Sequence, residues 1–205
     1  MTLFFLAIRI FFREIKSGQM IIMLMSLTFS IGILYSIYLF SDRLQKSLDA
    51  ESKEFLGGDL KFESSYELDE SLIPKIDFDL SKIYVFGSVL SFEDEFRLAT
   101  VKSVDVNYPL EGEIELNNAI NNYYVSAPPK RGEIWLDKRI LDFLGVEIGK
   151  NISLGDRDFL LSNTIVNEPD RGSSSFAFAP RAIINSLDLE ETNVIKPGSR
   201  VRYMY

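Results

Sequence analysis

From Met20 to Phe40 the chain reads MIIMLMSLTFSIGILYSIYLF, 21 residues without a charge. As a helix rising ~1.5 Å per residue, this stretch is about 30 Å long, the thickness of a bilayer's hydrocarbon core. Apolar residues cover every side of it, whereas a surface helix of a soluble protein shows a single stripe. A cleaved signal peptide has a shorter apolar core and a small-residue cleavage site. Here Ser41-Asp42-Arg43 follows directly, with no Ala-x-Ala. The stretch therefore reads as an uncleaved membrane helix.

Charge divides unequally around it. Residues 1–19 carry Arg9, Arg13 and Lys16 against Glu14, while the remainder holds 19 basic and 29 acidic residues. Lys and Arg near a membrane helix stay on the cytoplasmic side, which places the N-terminus inside and residues 41–205 outside. An acidic outer part argues against nucleic acid as a partner, because phosphate binding needs a basic face. About 150 residues outside the membrane suffice for one domain with its own core. The chain has no cysteine, so it forms no disulfide, and no histidine. The commonest general base and metal ligand is thus missing, which weakens most enzymatic readings.

Residues 2–16 are apolar except for Arg9, Arg13 and Lys16, spaced four and three apart on one helical side. That is the pattern of a helix lying in the membrane interface. Ser17-Gly18-Gln19 predicts an elbow before the membrane helix. After Phe40 the helical pattern continues without proline or glycine. Ile37, Leu44, Leu48 and Phe55 make one apolar stripe, and Gly57-Gly58 ends it. Met20–Phe55 would span about 54 Å, so roughly 20 Å would project beyond the membrane as a stalk.

The remainder predicts short strands, hairpins and small helices, an α+β fold. Strands are expected at Asp59–Ser64, Lys82–Phe92 and Phe96–Val106, the last two paired about Glu93-Asp94-Glu95. Glu67–Leu72 predicts a helical turn before Pro74, and residues 110–130 a polar surface loop with one short strand. Gly132–Leu136 reads as a strand. Asp137 caps a short helix Lys138–Leu144, which Gly145 stops. Asn151–Leu154 and Asp158–Asn167 form a hairpin about Gly155-Asp156-Arg157. Ser175–Ala179 reads as a strand, Pro180–Leu187 as a helix with proline near its start, and Ser199–Tyr205 as a last strand.

No motif among these carries catalysis. Gly145 to Asn151 (GVEIGKN) looks like a phosphate loop but is one residue short between its glycines. Asn151 also stands where Ser or Thr would bind magnesium. A helix stop and a turn into a strand explain it better. Glu168 and Asp170 are close carboxylates around Pro169, read as a solvated turn rather than an acid/base pair. The serines at 173–175 lack both a Gly-x-Ser-x-Gly setting and a histidine. No catalytic, cofactor-binding or metal-binding residue is assigned, and no cofactor is expected.

The order of features is more specific than any motif. A basic amphipathic start, a membrane helix running into a stalk, and then EFLGGDLKFESS resemble the N-terminal part of FtsX-like permeases of ABC transporters, which carry a MacB-type periplasmic core domain. LATVKSVDVNYPLEGEIEL narrows the resemblance to one branch, predicted components of an ABC system associated with a periplasmic lysophospholipase/thioesterase. So do Glu168-Pro169-Asp170-Arg171-Gly172, Ala179-Pro180-Arg181 and Pro197-Gly198-Ser199-Arg200-Val201. The resemblance implies a non-catalytic permease subunit in the bacterial inner membrane. A separate cytoplasmic ATPase would drive movements that act on lipids, lipoproteins or other hydrophobic substrates. A second permease copy and a periplasmic lipid esterase or thioesterase are further implied partners, beside the bilayer itself.

On this reading residues 1–18 are a cytoplasmic or interfacial helix, 19–40 the membrane helix, 41–56 a periplasmic stalk and 57–205 a periplasmic α+β domain. Members of that family continue past the position of Tyr205 into further membrane helices. The chain is therefore expected to be a truncated product or a fragment, and the periplasmic domain incomplete. The alternative from another class is a single-span, membrane-anchored periplasmic binding or scaffold protein. Open reading downstream into more apolar helices, beside an ATPase gene, separates the two.

The 11 Ile, Leu and Phe residues of Met20–Phe40 favour insertion by roughly 3–7 kcal/mol, and a central arginine offsets about 3 kcal/mol of that. Ser30→Arg is therefore expected to weaken membrane integration without abolishing it, measured by carbonate extraction. Complete loss would contradict the long-span reading.

Overall fold

The structure is a computed structural model that describes residues 2–15, 18–56, 58–68, 78–171 and 179–205. The chain divides into two units, Met1–Ala50 and Glu51–Tyr205.

The first unit is helical. Helix α1 (Thr2–Ile15) exposes Leu3, Phe4, Phe5, Phe11 and Phe12. Helix α2 (Gly18–Leu56) is a single element of 39 residues, about 58 Å long. Lys16 and Ser17, at the expected elbow, lie outside the described residues. The Met20–Leu48 part of α2 is long and apolar enough to cross a membrane, and its most apolar window is nowhere buried. A helix suits that setting because it satisfies its own backbone groups where water is absent. The hydroxyls follow the same rule. Ser30 Oγ donates to the Ser26 carbonyl at 2.8 Å, and Thr28 Oγ1 donates to that of Leu24. Past Phe40, Lys46 and Asp42 pair at 2.9 Å one turn apart. Leu44 and Leu48 of the predicted stripe are exposed.

The second unit is built on one sheet of ten strands among the described residues. These are β1 (Glu63–Ser64), β2 (Ile83–Phe92), β3 (Glu95–Val104), β4 (Ile114–Asn117), β5 (Asn122–Val125), β6 (Glu133–Asp137), β7 (Asn151–Leu154), β8 (Arg157–Asn167), β9 (Arg181–Asn185) and β10 (Val201–Met204). Its pairings close on themselves in the order β2-β3-β9-β6-β8-β7 and back to β2. A ring of six strands has no free edge, which removes the liability of an open sheet. Two of its pairings, β3 with β9 and β6 with β8, are parallel.

Alternation along the strands defines the inside of this barrel. Phe86, Leu90, Ala99, Val101, Ile134, Leu136, Ile152, Leu154, Phe159, Leu161, Ala182 and Ile184 pack in one buried cluster. Helix α3 (Lys138–Leu144) adds Ile140 and Leu144 to it. Burying one such side chain contributes ~1.5–3 kcal/mol, so this cluster is the main source of the unit's stability. A second cluster lies on the outer face of the wall. There Val104, Trp135, Ile165 and Ile183 are covered by Tyr108 and by Ile114 and Leu116 of β4.

The α+β class, the β2–β3 hairpin, α3 and the β7–β8 hairpin follow the sequence expectations. Asp137 accepts a hydrogen bond from the Arg139 amide as the N-cap of α3, and Gly145 ends that helix in the left-handed region (φ 63°). Gly155, between β7 and β8, is left-handed too (φ 61°), and a Cβ there would lie 2.0 Å from the Thr192 carbonyl oxygen.

Other expectations need correction. Pro180–Leu187 is not a helix: residues 181–185 form the central strand β9, and a 3-10 turn follows at Ser186–Asp188. Its run Ala182-Ile183-Ile184 is buried on both faces, a pattern that strand and helix share in so short a segment. Residues 110–130 are not a mere surface loop, since β4 and β5 form a hairpin that buries Ile114 and Leu116 completely. The β2–β3 turn is two residues, Glu93-Asp94, with Glu93 left-handed (φ 52°), because Glu95 already pairs with Phe92. The Asp59–Ser64 strand shrinks to Glu63-Ser64, although Phe62 also exchanges two backbone hydrogen bonds with Tyr205, each 2.8 Å. Glu67 and Leu68 are not helical; the rest of the predicted Glu67–Leu72 turn, and the Ser175–Ala179 strand apart from its last residue, lie outside the described residues.

Candidate functional site

Lys102 sits near the C-terminal end of β3, on its outer side, where it pairs with Val85 of β2 and Ile183 of β9. The side chain is 1% exposed. A lysine so buried is tolerated only when its charge is matched and its donors are used. Two carboxylates from the turn after β8 meet it. Lys102 Nζ lies 2.7 Å from Asp170 Oδ1 and 3.5 Å from Glu168 Oε2. It donates to Tyr108 Oη at 2.6 Å and lies 4.2 Å from the centre of that ring. Tyr108 in turn donates to Asp170 Oδ1 at 3.1 Å.

The network extends in both directions. Arg181, the first residue of β9, places Nη1 3.1 Å from Glu168 Oε1. Lys61, between α2 and β1, places Nζ 3.9 Å from Asp170 Oδ2. Burial pushes the Tyr108 phenol well above its ordinary range, and the Asp170 and Glu168 carboxylates add to the shift. The phenol therefore stays protonated and acts as a donor. Burial is also the main cause that lowers the Lys61 pKa, against the opposing pull of Asp170.

Two further clusters of ion pairs brace the same barrel. Fully buried Asp188 accepts from Arg131 Nε at 3.2 Å and from the Gly132 amide at 2.7 Å, and pairs with Arg157 at 3.0 Å. Glu191 pairs with both arginines. Asp137 pairs with Arg139 at 2.7 Å and Arg171 at 2.6 Å. Burial opposes the ionisation of Asp137, but the hydrogen bonds from Arg139 and Arg171 overcome it and bring its carboxyl to about 2.

These facts correct the reading of Glu168 and Asp170 as a solvated turn. Both are buried, 3% and 5% exposed, and both are salt-bridged. Their geometry is also unlike an acid/base pair, since each carboxylate faces cations rather than an open cleft. The sequence gives no local sign of this, because Lys102 stands 66 and 68 residues before its partners. The one available signal is a lysine in the middle of an apolar, β-branched run. Gly145 to Asn151 forms the helix stop and the turn into β7, with Gly149 at φ 93°. The serines at 173–175 lie outside the described residues. Among the described residues, no cluster of His, Cys, Asp and Glu has the arrangement to hold a metal ion.

The class is thus a barrel-based α+β unit, preceded in the sequence by an apolar helix of membrane-crossing length. Comparison with known proteins adds a family likeness. No family model matches the chain. Over 200 residues, 96% of its length, it is 30% identical to a protein of Escherichia coli (strain K12) described as the uncharacterized ABC transporter permease YbbP. The chain spans 24% of that relative's length. Its similarity to an ABC transporter permease therefore runs over nearly the whole chain and bears out the resemblance read from the sequence. Among solved structures, the periplasmic region of MacB from Actinobacillus actinomycetemcomitans is similar, at 15% identity and a TM-score of 0.38, covering 63% of this chain and 59% of that one.

Removing one partner of a buried, hydrogen-bonded ion pair costs ~3–5 kcal/mol, because the other charge stays behind in the protein. Lys102→Met is expected to destabilise the second unit by about that amount. Urea unfolding of the detergent-solubilised chain, followed by Trp135 fluorescence, measures it. A loss below ~1 kcal/mol, as for an exposed pair, would show that the network is not a structural centre.

Proposed function

We propose that the chain is the N-terminal part of an inner-membrane ABC transporter permease, with its barrel unit in the periplasm and its N-terminus in the cytoplasm. Its role is mechanical. A separate cytoplasmic ATPase hydrolyses ATP, and α2 carries the resulting displacement to the outer unit. The observation that carries this reading is the unbroken helix Gly18–Leu56. It runs through the uncharged stretch and on for about 16 residues. A tether needs no such extension. A helix is far stiffer along its axis than a loop, so a shift at one end reaches the other.

The likeness to the Escherichia coli permease supports the assignment of class. The cations of α1, Arg9 and Arg13, suit contact with headgroups, while its phenylalanines suit the acyl boundary. Exposed Leu44 and Leu48 offer a stripe for the stalk of a second permease copy. We assign lipids, lipoproteins or other hydrophobic molecules as substrates, and a periplasmic lipid esterase or thioesterase as an associated protein. The buried ion pairs of the barrel are structural on this reading, and no residue of the chain is assigned a catalytic step.

Orientation is tested by reporter fusions after Leu116. A periplasm-active reporter there is expected to be active. An inactive one, with a cytoplasm-active reporter working in its place, would overturn the topology and with it the proposed coupling.

A further inference from the structure

The segment Gly58–Leu68 lies just past α2, and its fastenings to the barrel among the described residues include two kinds. The first is a short edge pairing. Glu63 and Ser64 pair with Met204 and Tyr203 of β10, Phe62 exchanges two backbone bonds with Tyr205, and the Leu68 amide donates to Tyr205 Oη at 2.9 Å. Arg202 and Glu63 add an ion pair at 2.8 Å, and Tyr84 Oη of β2 donates to Glu67 Oε1 at 3.3 Å. The second is Lys61, whose side chain is 13% exposed and reaches the buried network at Asp170.

Asp170 uses its two oxygens differently. Oδ1 takes the short bonds from Lys102 and Tyr108, at 2.7 and 3.1 Å. Oδ2 faces Lys61 at 3.9 Å, a longer contact than those of Lys102 with Asp170 and Glu168 or of Arg181 with Glu168. If Lys61 leaves, Asp170 keeps both partners on Oδ1, so no buried carboxylate is abandoned. If Lys102 leaves, the centre of the network is lost. Lys61 itself is held in a place that disfavours its charge: burial lowers its pKa, and Lys102 and Arg181 oppose its charge while Asp170 and Glu63 support it. Its ammonium gains hydration when it departs. The network thus has a permanent core and a detachable member, and the detachable member lies five residues past the end of α2.

We propose that Gly58–Leu68 is a releasable strap, latched to the barrel by Lys61 on Asp170, that peels from β10 while the barrel stays folded. The device would let the chain just after α2 change position without unfolding the unit it leads into. The latch is a property of the barrel unit; only its use in relaying motion rests on the permease reading, which the topology fusions test separately.

Hydrogen exchange on the full chain in detergent micelles tests the latch. Lys61→Met is expected to speed exchange at residues 60–64 and at the Tyr205 amide by about tenfold or more, with β3, β6 and β9 unchanged within ~2-fold. Lys61→Arg, which keeps the cation, is expected to stay within ~3-fold of the parent at the strap. Lys102→Met is expected to speed exchange across β2, β3 and β9 together. Three results would overturn the proposal: unchanged strap exchange in Lys61→Met, an equal rise over the barrel strands, or a Lys61→Met protein that does not fold. The last would place Lys61 in the permanent core.

Discussion

A backbone that crosses hydrocarbon has to satisfy its own hydrogen bonds, and that constraint sets the architecture of this chain. Met20–Phe40 has no charge to hold it at a surface and no proline to interrupt it. Once helical, it stays helical until something stops it. Nothing does for 16 residues past Phe40, ten of which are Leu, Lys, Glu, Arg, Ala or Gln, all good helix formers. The helix ends at Leu56. The length of α2 is thus the sum of two causes, a span the bilayer demands and an extension that propensity permits.

Beyond that helix a different constraint takes over. Closure of six strands into a ring encloses the core and leaves those strands no open edge. Closure leaves the outer face of the wall to be covered, and two covers do it. The β4–β5 hairpin and Tyr108 lie over Trp135 and Ile183, while the 168–171 turn lies over Lys102 and Arg181. The first cover is apolar and forgiving. The second is ionic, so it is specific: Glu168 and Asp170 fit only where Lys102 and Arg181 wait for them. Such pairs contribute less to net stability than apolar packing of the same volume, but a mismatch leaves an unpaired buried charge. The ionic cover therefore discriminates between one docked position and any other.

What could be read in the residues follows from range. The membrane helix, the cap at Asp137, the stop at Gly145 and the two hairpins depend on neighbours within a few positions, and they were legible. Residues 181–185 were not, because Arg-Ala-Ile-Ile-Asn is too short for its period to show. Its strand state comes from parallel pairing with β3, some 80 residues earlier in the chain. The β4–β5 hairpin was hidden by its asparagines, four of which lie in or beside the connecting turn while Ile114 and Leu116 turn inward. Glu168 and Asp170 looked solvated because two acids flanking a proline usually are. Their burial depends on Lys102, and no local pattern joins residues so far apart.

The central claim is that the apolar span and the charged extension are one helix. The chain's lack of cysteine makes a spin-label scan clean, with single cysteines placed from residue 34 to residue 56 in the reconstituted full chain. The account predicts a ~3.6-residue periodicity of label mobility that runs through Phe40 and Ser41 without a phase break, while oxygen access gives way to water access near the same point. A loss of period or a phase jump between residues 40 and 48 would show two elements joined by a hinge, and would contradict it.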